Sequence, residues 1–401
     1  MRQIFPPEIT GKSLEPRGSV LDHRFGEGEP YTLGVEEEYM LLDADTLDLV
    51  QHIDTVLAAV AGHELESRIN AELMQSVIEI TTPVCRTAGD VDVALRQLRG
   101  YVSGIAGERG LRVGSAGTHP FSLFERQRIT AKDRYRQLVD QMQYIARREL
   151  IFGMHVHVAV DGPDKAIGVI NGLLPELAPL LALSASSPFW RGEPTGLHSS
   201  RQMVFAAFPR SGPPPRFKDY EDYASVVGQL ERTGCIADYT QIWWDIRPHP
   251  RLGTIEVRIC DAVTRVEHAV AIAAYCQAFV KYLSEKIDRR EEIPAYHRIL
   301  TTENKWLAGR YGLDAPVMDL GSGRRNRIPV SQIVRRTLQM IEPHARELGS
   351  ERELEGIEDI VSRGNGADRQ LRVFNANRDI VEVVREIADV TEEAALPVTT
   401  G

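Results

Sequence analysis

Apolar and polar side chains alternate over Gly153-Met154-His155-Val156-His157-Val158-Ala159-Val160, a pattern that predicts a β-strand rich in β-branched residues. Successive side chains on a strand face opposite ways. Met154, Val156 and Val158 therefore form an apolar face, and His155 and His157 share the other, about 7 Å apart at a rise of ~3.3 Å per residue. Similar patterns predict strands over Tyr31 to Asp43, Ser76 to Thr82 (closed by Pro83), Arg112 to Gly117, Tyr239 to Arg247 and Thr254 to Cys260. The last two are joined by Pro248-His249-Pro250-Arg251-Leu252-Gly253. Asp43-Ala44-Asp45-Thr46 supplies turn chemistry, so Leu47 to His52 reads as a returning hairpin strand.

Helical spacing takes over elsewhere. Val91, Ala94, Leu95, Leu98, Val102 and Ile105 fall on one stripe of a helix over Asp90 to Glu108. Ile53 to Ala61, Tyr135 to Leu150 and Asp219 to Glu231 show the same period. Pro163 to Ser186 reads as an apolar helix broken at Pro175 and lying against the sheet. Beyond Val263 the chain reads as helical throughout, near 263–288, 294–309, 328–348, 350–362 and 366–391. Strands dispersed among long helices with hairpin-style pairing predict an α+β fold with a mainly antiparallel sheet.

Composition narrows the function. The 401 residues are 43% hydrophobic and 26% charged, values that allow a packed core. A formal net charge of −10 argues against a general nucleic-acid surface, though local arginines can still hold an anionic substrate. Four scattered cysteines without a Cys-x-x-Cys fit a reducing compartment. The polar N-terminus lacks a signal-peptide run, and no stretch reads as a membrane span, so a cytoplasmic protein is expected. Residues 1–30 read as a flexible lead-in and 393–401 as a tail, flanking a single domain over 31–392.

The polar strand faces carry the chemistry. In Gly34-Val35-Glu36-Glu37-Glu38-Tyr39, Glu36 and Glu38 share a face and Glu37 takes the other, where it is expected to be solvated or paired. Three adjacent carboxylates repel one another in a strand, and a divalent cation relieves that repulsion; a charged edge strand is the alternative. Glu79 stands opposite Ile78 and Ile80, and Glu256 and Arg258 stand opposite Ile255, Val257 and Ile259. An Arg beside a Glu is either an ion pair or a metal ligand next to a phosphate clamp.

Three motifs, Gly-Val-Glu-Glu-Glu-Tyr at 34–39, Gly-Met-His-Val-His at 153–157 and Ser-Ser-Pro-Phe-Trp-Arg-Gly-Glu at 186–193, resemble the type 2 glutamate–cysteine ligases, or carboxylate–amine ligases. The resemblance runs from about 31 to 390, and Glu-x-Glu and Ile-Glu-Val-Arg extend it to the glutamine synthetase superfamily. It implies a curved antiparallel sheet with helices on its convex face, ATP with Mg²⁺ or Mn²⁺ on the concave face, and glutamate and an amine as substrates. It also implies Glu36, Glu38, Glu79, His155 and Glu256 as metal ligands, with Glu72 a rival to Glu79. His157 and Arg258 are implied contacts to the transferring phosphate or the substrate carboxylate, and Arg191 and Arg201 further anion-binding candidates. His119, in Gly-Thr-His-Pro, belongs to the resemblance without an assigned role.

Two alternatives stand beside the ligase reading. A metal-dependent amidohydrolase would place His-x-His on the first strand of a parallel barrel with further His and Asp at later strand ends. A non-catalytic nucleotide- or metabolite-binding relative would be expected to lack a ligand position. Trp243 and Trp244 are pocket candidates of which at least one enters the core; Arg324, Arg325 and Arg327 read as a solvated loop. The amine, the role of loop 187–215 and the oligomeric state stay open, an exposed sheet edge being compatible with a homo-oligomer.

Overall fold

The computed structural model describes residues 21–322 and 326–393. Its main sheet has seven strands: β1 (Leu33–Asp43), β2 (Ile69–Ala71), β3 (Val77–Thr81), β4 (Leu111–Gly114), β5 (Met154–Ala159), β6 (Ile246–His249) and β7 (Thr254–Val257). The spatial order is β6-β7-β5-β1-β3-β2, with β4 also paired to β1. Every pairing in it is antiparallel, as the hairpin-style pairing predicted, so the parallel barrel of the hydrolase alternative is not the architecture. β1 is the hub: β5 runs along Leu33–Glu37, β4 along Met40–Asp43, and β3 along Glu36–Met40.

The alternation of β1 sorts its side chains into two layers. Val35, Tyr39 and Leu41 join Ile78, Ile80, Met154, Val156, Val158, Ile255 and Val257 in the main core. Helices α1 (Ala88–Gly107), α2 (Pro163–Leu173), α3 (Leu177–Ser184) and α4 (Val266–Asp288) complete that core. Helix α1 starts where Thr87 and Asp90 form a reciprocal capping box, and its predicted stripe is the buried one. On the other face, Met40, Leu42 and Val77 pack beneath Val383, Val384, Ile387 and Ala388 of helix α5 (Ile380–Glu393). The remainder of that face, carrying Glu36 and Glu38, opens into a cleft.

Glu37 is the exception on the core face. It is fully buried and paired with the equally buried Arg99 of α1, through Nη2–Oε1 at 2.5 Å and Nε–Oε2 at 3.0 Å. Arg99 also donates to the carbonyls of Thr264 (2.7 Å) and Val263 (3.1 Å), just ahead of α4. The Tyr39 hydroxyl donates to Glu37 as well. Each charge is thus met by hydrogen bonds, which a buried ion pair requires.

Several elements differ from the sequence reading for local reasons. Residues 47–52 form no strand, only a bridge between Leu42 and Leu49. The helix expected over 135–150 divides into Asp133–Met142 and Tyr144–Arg147 because Gln143 takes a left-handed φ of 51°. Of Tyr239 to Arg247, the start is a 3₁₀ turn capped by Asp238, Trp243–Trp244 pairs with Ser211–Gly212, and only Ile246 onward joins the main sheet. The β6–β7 turn closes on Gly253 at φ +66°, where a Cβ would lie 2.5 Å from the Arg24 carbonyl oxygen. Residues 350–362 form two helices, Glu351–Leu354 and Gly356–Arg363, and 366–391 forms Gly366–Asn377 and α5. A small hairpin, Pro316–Met318 with Arg327–Pro329, interrupts the helical C-terminal part. Strands of three residues, like this hairpin and β2, are too short to show a period.

The apolar run 163–184 divides at Leu174–Glu176, next to Pro175 as expected. By length and composition it could cross a membrane, contrary to the sequence reading, but 83% of its apolar window is buried and it serves as core. Of the expected flexible lead-in, residues 21–30 instead pack at the β6–β7 turn and the end of β5: Arg24 N–H donates to Pro250 O, Gly26 N–H to Val160 O, and Phe25 is buried. Residues 1–20, 394–401, and Arg324 and Arg325 lie outside the described residues; Arg327 is exposed on its short strand.

Truncating only one partner of the Glu37–Arg99 pair strands a charge in the core. Arg99→Leu is expected to destabilise the fold by about 3–5 kcal/mol, and Glu37→Leu combined with Arg99→Leu to recover much of that loss. Urea unfolding of both variants measures it; a single variant as stable as the parent would show that the pair is dispensable.

Candidate active site

Strand register assembles the site. Glu36 sits opposite His155, Glu38 opposite Glu79, Glu79 opposite Asn70, His157 opposite Glu256, and Glu256 opposite Arg247. Directly opposed residues share a face, so six strands contribute to one polar surface. It forms the floor of a cleft of about 490 Å³ whose lining also includes Glu72, Arg134, Tyr135, Glu149, Arg201, Phe205, Phe208, Trp243, His249 and Arg258.

Within the cleft the acids fall into two groups. Ligand atoms of Glu36, His157 and Glu256 lie within 4.8 Å of one another, and so do those of Glu38, Glu72 and Glu79. Glu72 and Glu79 are therefore members of one cluster rather than alternatives. His155 is in neither group; its Nδ1 lies 2.9 Å from Glu36 Oε2, beside the first. His157, expected to meet phosphate or substrate, sits in that first group, with Nε2 at 3.4 Å from Glu36 Oε1 and Nδ1 at 3.0 Å from the Thr254 hydroxyl. The buried His157 Nε2 has no hydrogen-bond partner, and faces two carboxylates, so this donor set fits a divalent cation.

The two groups differ electrostatically. Burial opposes the charge on Glu36, yet the hydrogen bond with His155 and the close approach of His157 outweigh it and hold the carboxyl well below its ordinary range. Burial likewise opposes charge on Glu256, and Arg247 and then Arg258 overcome it. Arg247 grips Glu256 with Nε at 2.6 Å and Nη2 at 3.2 Å, while Arg258 Nη1 donates to the same carboxylate. In the second group no arginine comes as close. Burial, reinforced by Glu72, pushes Glu38 up to about 7, and burial with three neighbouring carboxylates raises Glu79 well above the usual range. Burial lowers His155 to about 4, with the Arg258 charge adding to it, so this imidazole is neutral near pH 7.

Arg201 reaches the cleft through packing. It belongs to the short helix Ser200–Phe205, within the loop that had no sequence assignment, and is 3% exposed. Asp261 holds that loop in place by accepting from Ser186 N–H (3.0 Å), Ser187 Oγ (2.6 Å) and Ser199 Oγ (2.8 Å). The guanidinium lies over Gly153, where any Cβ would collide with it. The Ser-Ser and Gly-Met-His motifs thereby share a role: they make the seat for Arg201.

Arg191 is not brought to the cleft. It turns at φ 56° on the outer hairpin of Phe189–Trp190 and Glu193–Pro194, paired with Glu125 at 2.7 Å and stacked on Phe124. His119 is structural: Nε2–H donates to Leu47 O, and Nδ1 accepts from the backbone of Phe121 and Ser122. Trp243 lines the cleft and Trp244 enters the core. Arg247 went unnoticed in the sequence, although closing the 248–253 turn as a hairpin sets it opposite Glu256. Glu149 and Arg134 gave no signal, since neither lies on an alternating strand.

A cation bound by Glu38, Glu72 and Glu79 requires them ionised. Mg²⁺ binding is therefore expected to release protons at pH 6 to 7, and its affinity to rise as pH passes the Glu38 value of about 7. For the metal-free fold the sign is opposite. A carboxyl raised from 4.5 to about 7 keeps its proton when folded, so its contribution to stability falls as pH rises through that window. Calorimetry in two buffers of different ionisation heat reads the proton count, and Glu38→Gln should diminish it; binding without proton release would contradict the assignment.

Comparison with known proteins agrees with this architecture. The sequence profile of glutamate–cysteine ligase family 2 matches residues 32–389. A Rubrobacter xylanophilus protein, named provisionally as glutamate–cysteine ligase 2-1, is 44% identical over 364 residues, covering 91% of this chain and 96% of that protein. A Sorangium cellulosum protein with the provisional name glutamate–cysteine ligase 2 is 41% identical over 360 residues, covering 90% and 96%. The fold is similar to that of a glutamate–cysteine ligase from Francisella tularensis solved with AMP, at TM-score 0.65, 14% identity and coverage of 92% and 91%. It is also similar to a bifunctional glutathione synthetase from Pasteurella multocida, at TM-score 0.67, 15% identity and coverage of 91% of this chain and 52% of that one. With a profile match across most of its length and relatives above 40% identity, the chain belongs to glutamate–cysteine ligase family 2.

Proposed function

We propose that this protein is an ATP-dependent carboxylate–amine ligase that joins glutamate to an amine, with cysteine the first amine to consider. The observation that carries this reading is the pair of three-residue groups, Glu36/His157/Glu256 and Glu38/Glu72/Glu79, on one sheet face in a chain of this family. The names of its relatives and the AMP bound to the Francisella ligase support it. An antiparallel sheet with its main helical core on one face, and acids on the other beside helix α5, also supports a glutamine synthetase-like class.

A carboxylate resists attack by an amine because its carbon is shielded by charge. Transfer of the γ-phosphoryl group of ATP converts it to an acyl phosphate: a carboxylate O–P bond forms, the bridging P–O bond breaks, and ADP departs. The amine nitrogen then attacks the acyl carbon and phosphate leaves, so an amide forms without a protein nucleophile. The two groups would hold Mg²⁺ or Mn²⁺, which neutralises phosphate charge when bound. Arg258, fixed by Glu256, and Arg201, fixed over Gly153, place cationic groups on the cleft for the transferring phosphoryl group or the substrate carboxylate. Phe205, Phe208 and Trp243 supply an apolar wall of the same cleft.

The purified protein should release phosphate from ATP with Mg²⁺ or Mn²⁺ only when glutamate and an acceptable amine are both present. Glu256→Gln, which loosens the hold on both arginines, should lower that rate by about 100-fold or more. If no amine in a panel containing cysteine stimulates release while metal–nucleotide still binds, the ligase reading fails in favour of a binding role.

A further inference from the structure

Four other acids of the cleft have partners: Glu36 faces two histidines, Glu256 two arginines, Glu38 accepts from Gly153 N–H and Glu72 from Leu73 N–H, while Glu79 stands among the carboxylates of the second group. Glu149 is different. It lies just after the short helix Tyr144–Arg147, outside both groups, and its Oε2 is buried without a hydrogen-bond partner. It lines the cleft together with Ile151, Leu138, Phe205 and Phe208. The charged groups that face it are Arg201 from the 200–205 helix, Arg148 on its own segment, Glu38 on β1, and Glu72 after β2. Arg148 is diverted, since its Nη2 donates to the Val204 carbonyl. A buried carboxylate oxygen left open at a cleft with apolar walls is matched by a cationic donor from outside.

Resting on the ligase reading, we propose that Glu149 receives the ammonium group of the attacking amine and accepts its proton. An amine enters as R–NH₃⁺ and has no lone pair until one proton leaves. Glu149 takes that proton, and the nitrogen lone pair forms the C–N bond to the acyl carbon. The C–O bond to phosphate breaks, and the departing phosphate takes the second proton, leaving an amide with one hydrogen. The environment tunes this acceptor: burial, against the field of Arg201, pushes the Glu149 carboxyl up to about 8, so it accepts only in its ionised form and the amine-dependent rate should rise with pH toward that value. Proton transfer from a primary ammonium near 10.4 is then uphill by roughly two powers of ten, rather than roughly six for an ordinary carboxylate. The donor glutamate keeps its own ammonium protonated throughout and needs no such acceptor.

Hydroxylamine separates the roles, because it is a neutral nucleophile at pH 7 and needs no base. In Glu149→Gln, phosphate release with the best alkyl or amino-acid amine should fall about 100-fold. Formation of glutamate hydroxamate should stay within about threefold of wild type. Glu149→Asp, which retains an acid, should recover part of the amine-dependent rate and serves if the glutamine variant does not fold. Parallel loss of both activities, loss of neither, or a selective rise in the KM for glutamate would overturn the assignment alone. Absence of hydroxamate from the wild type would overturn the ligase reading and, with it, this assignment.

Discussion

The structure hangs on the buried contact between Glu37 and Arg99. A strand that must present Glu36 and Glu38 to a cleft inevitably turns the residue between them into the core, and here that residue is a third glutamate. Arg99 makes this tolerable by meeting both carboxylate oxygens and using its remaining donors on the Val263 and Thr264 carbonyls. One guanidinium thus fastens the hub strand, helix α1 and the entry to helix α4. Everything on the cleft face is referenced to β1, so this contact fixes the plane on which the site is drawn.

The cleft itself is a managed repulsion. Five glutamates from four separate segments converge, and their neighbours set how each responds. Glu36 and Glu256 stay ionised because histidines and arginines face them. Glu38, Glu72 and Glu79 have no such close partners, and burial drives them toward the protonated form. This asymmetry leaves one group charged and the other protonated, so that a cation binding to the second would have to displace its protons. The same logic singles out Glu149, which shares the burial but belongs to neither group.

The motif segments divide their labour in ways that their order along the chain does not show. Gly153 gives space to Arg201, Asp261 ties down Ser186, Ser187 and Ser199, and the Trp-Arg-Gly turn that follows points Arg191 away from the chemistry. Phe189 inside that motif goes to the second core with helix α5. Much of the motif is therefore scaffold for an arginine that stands outside it.

The strand faces, the family and most of the acidic inventory were legible in the order of residues alone. Alternation is enforced locally by the pleat, so Glu36, Glu38, His155, His157 and Glu256 could be placed on polar faces with no knowledge of their partners. Which of them meet depends on how the strands and loops fold against one another. Glu72 joins Glu38 and Glu79 because β2 folds back on β3 over three residues, too few for a readable period. Arg201, Glu149 and Arg99 reach their places from helices and loops, and Arg191 is carried off by a single left-handed turn. Such placements follow from the path of the whole chain, whereas the faces of a strand follow from its nearest neighbours.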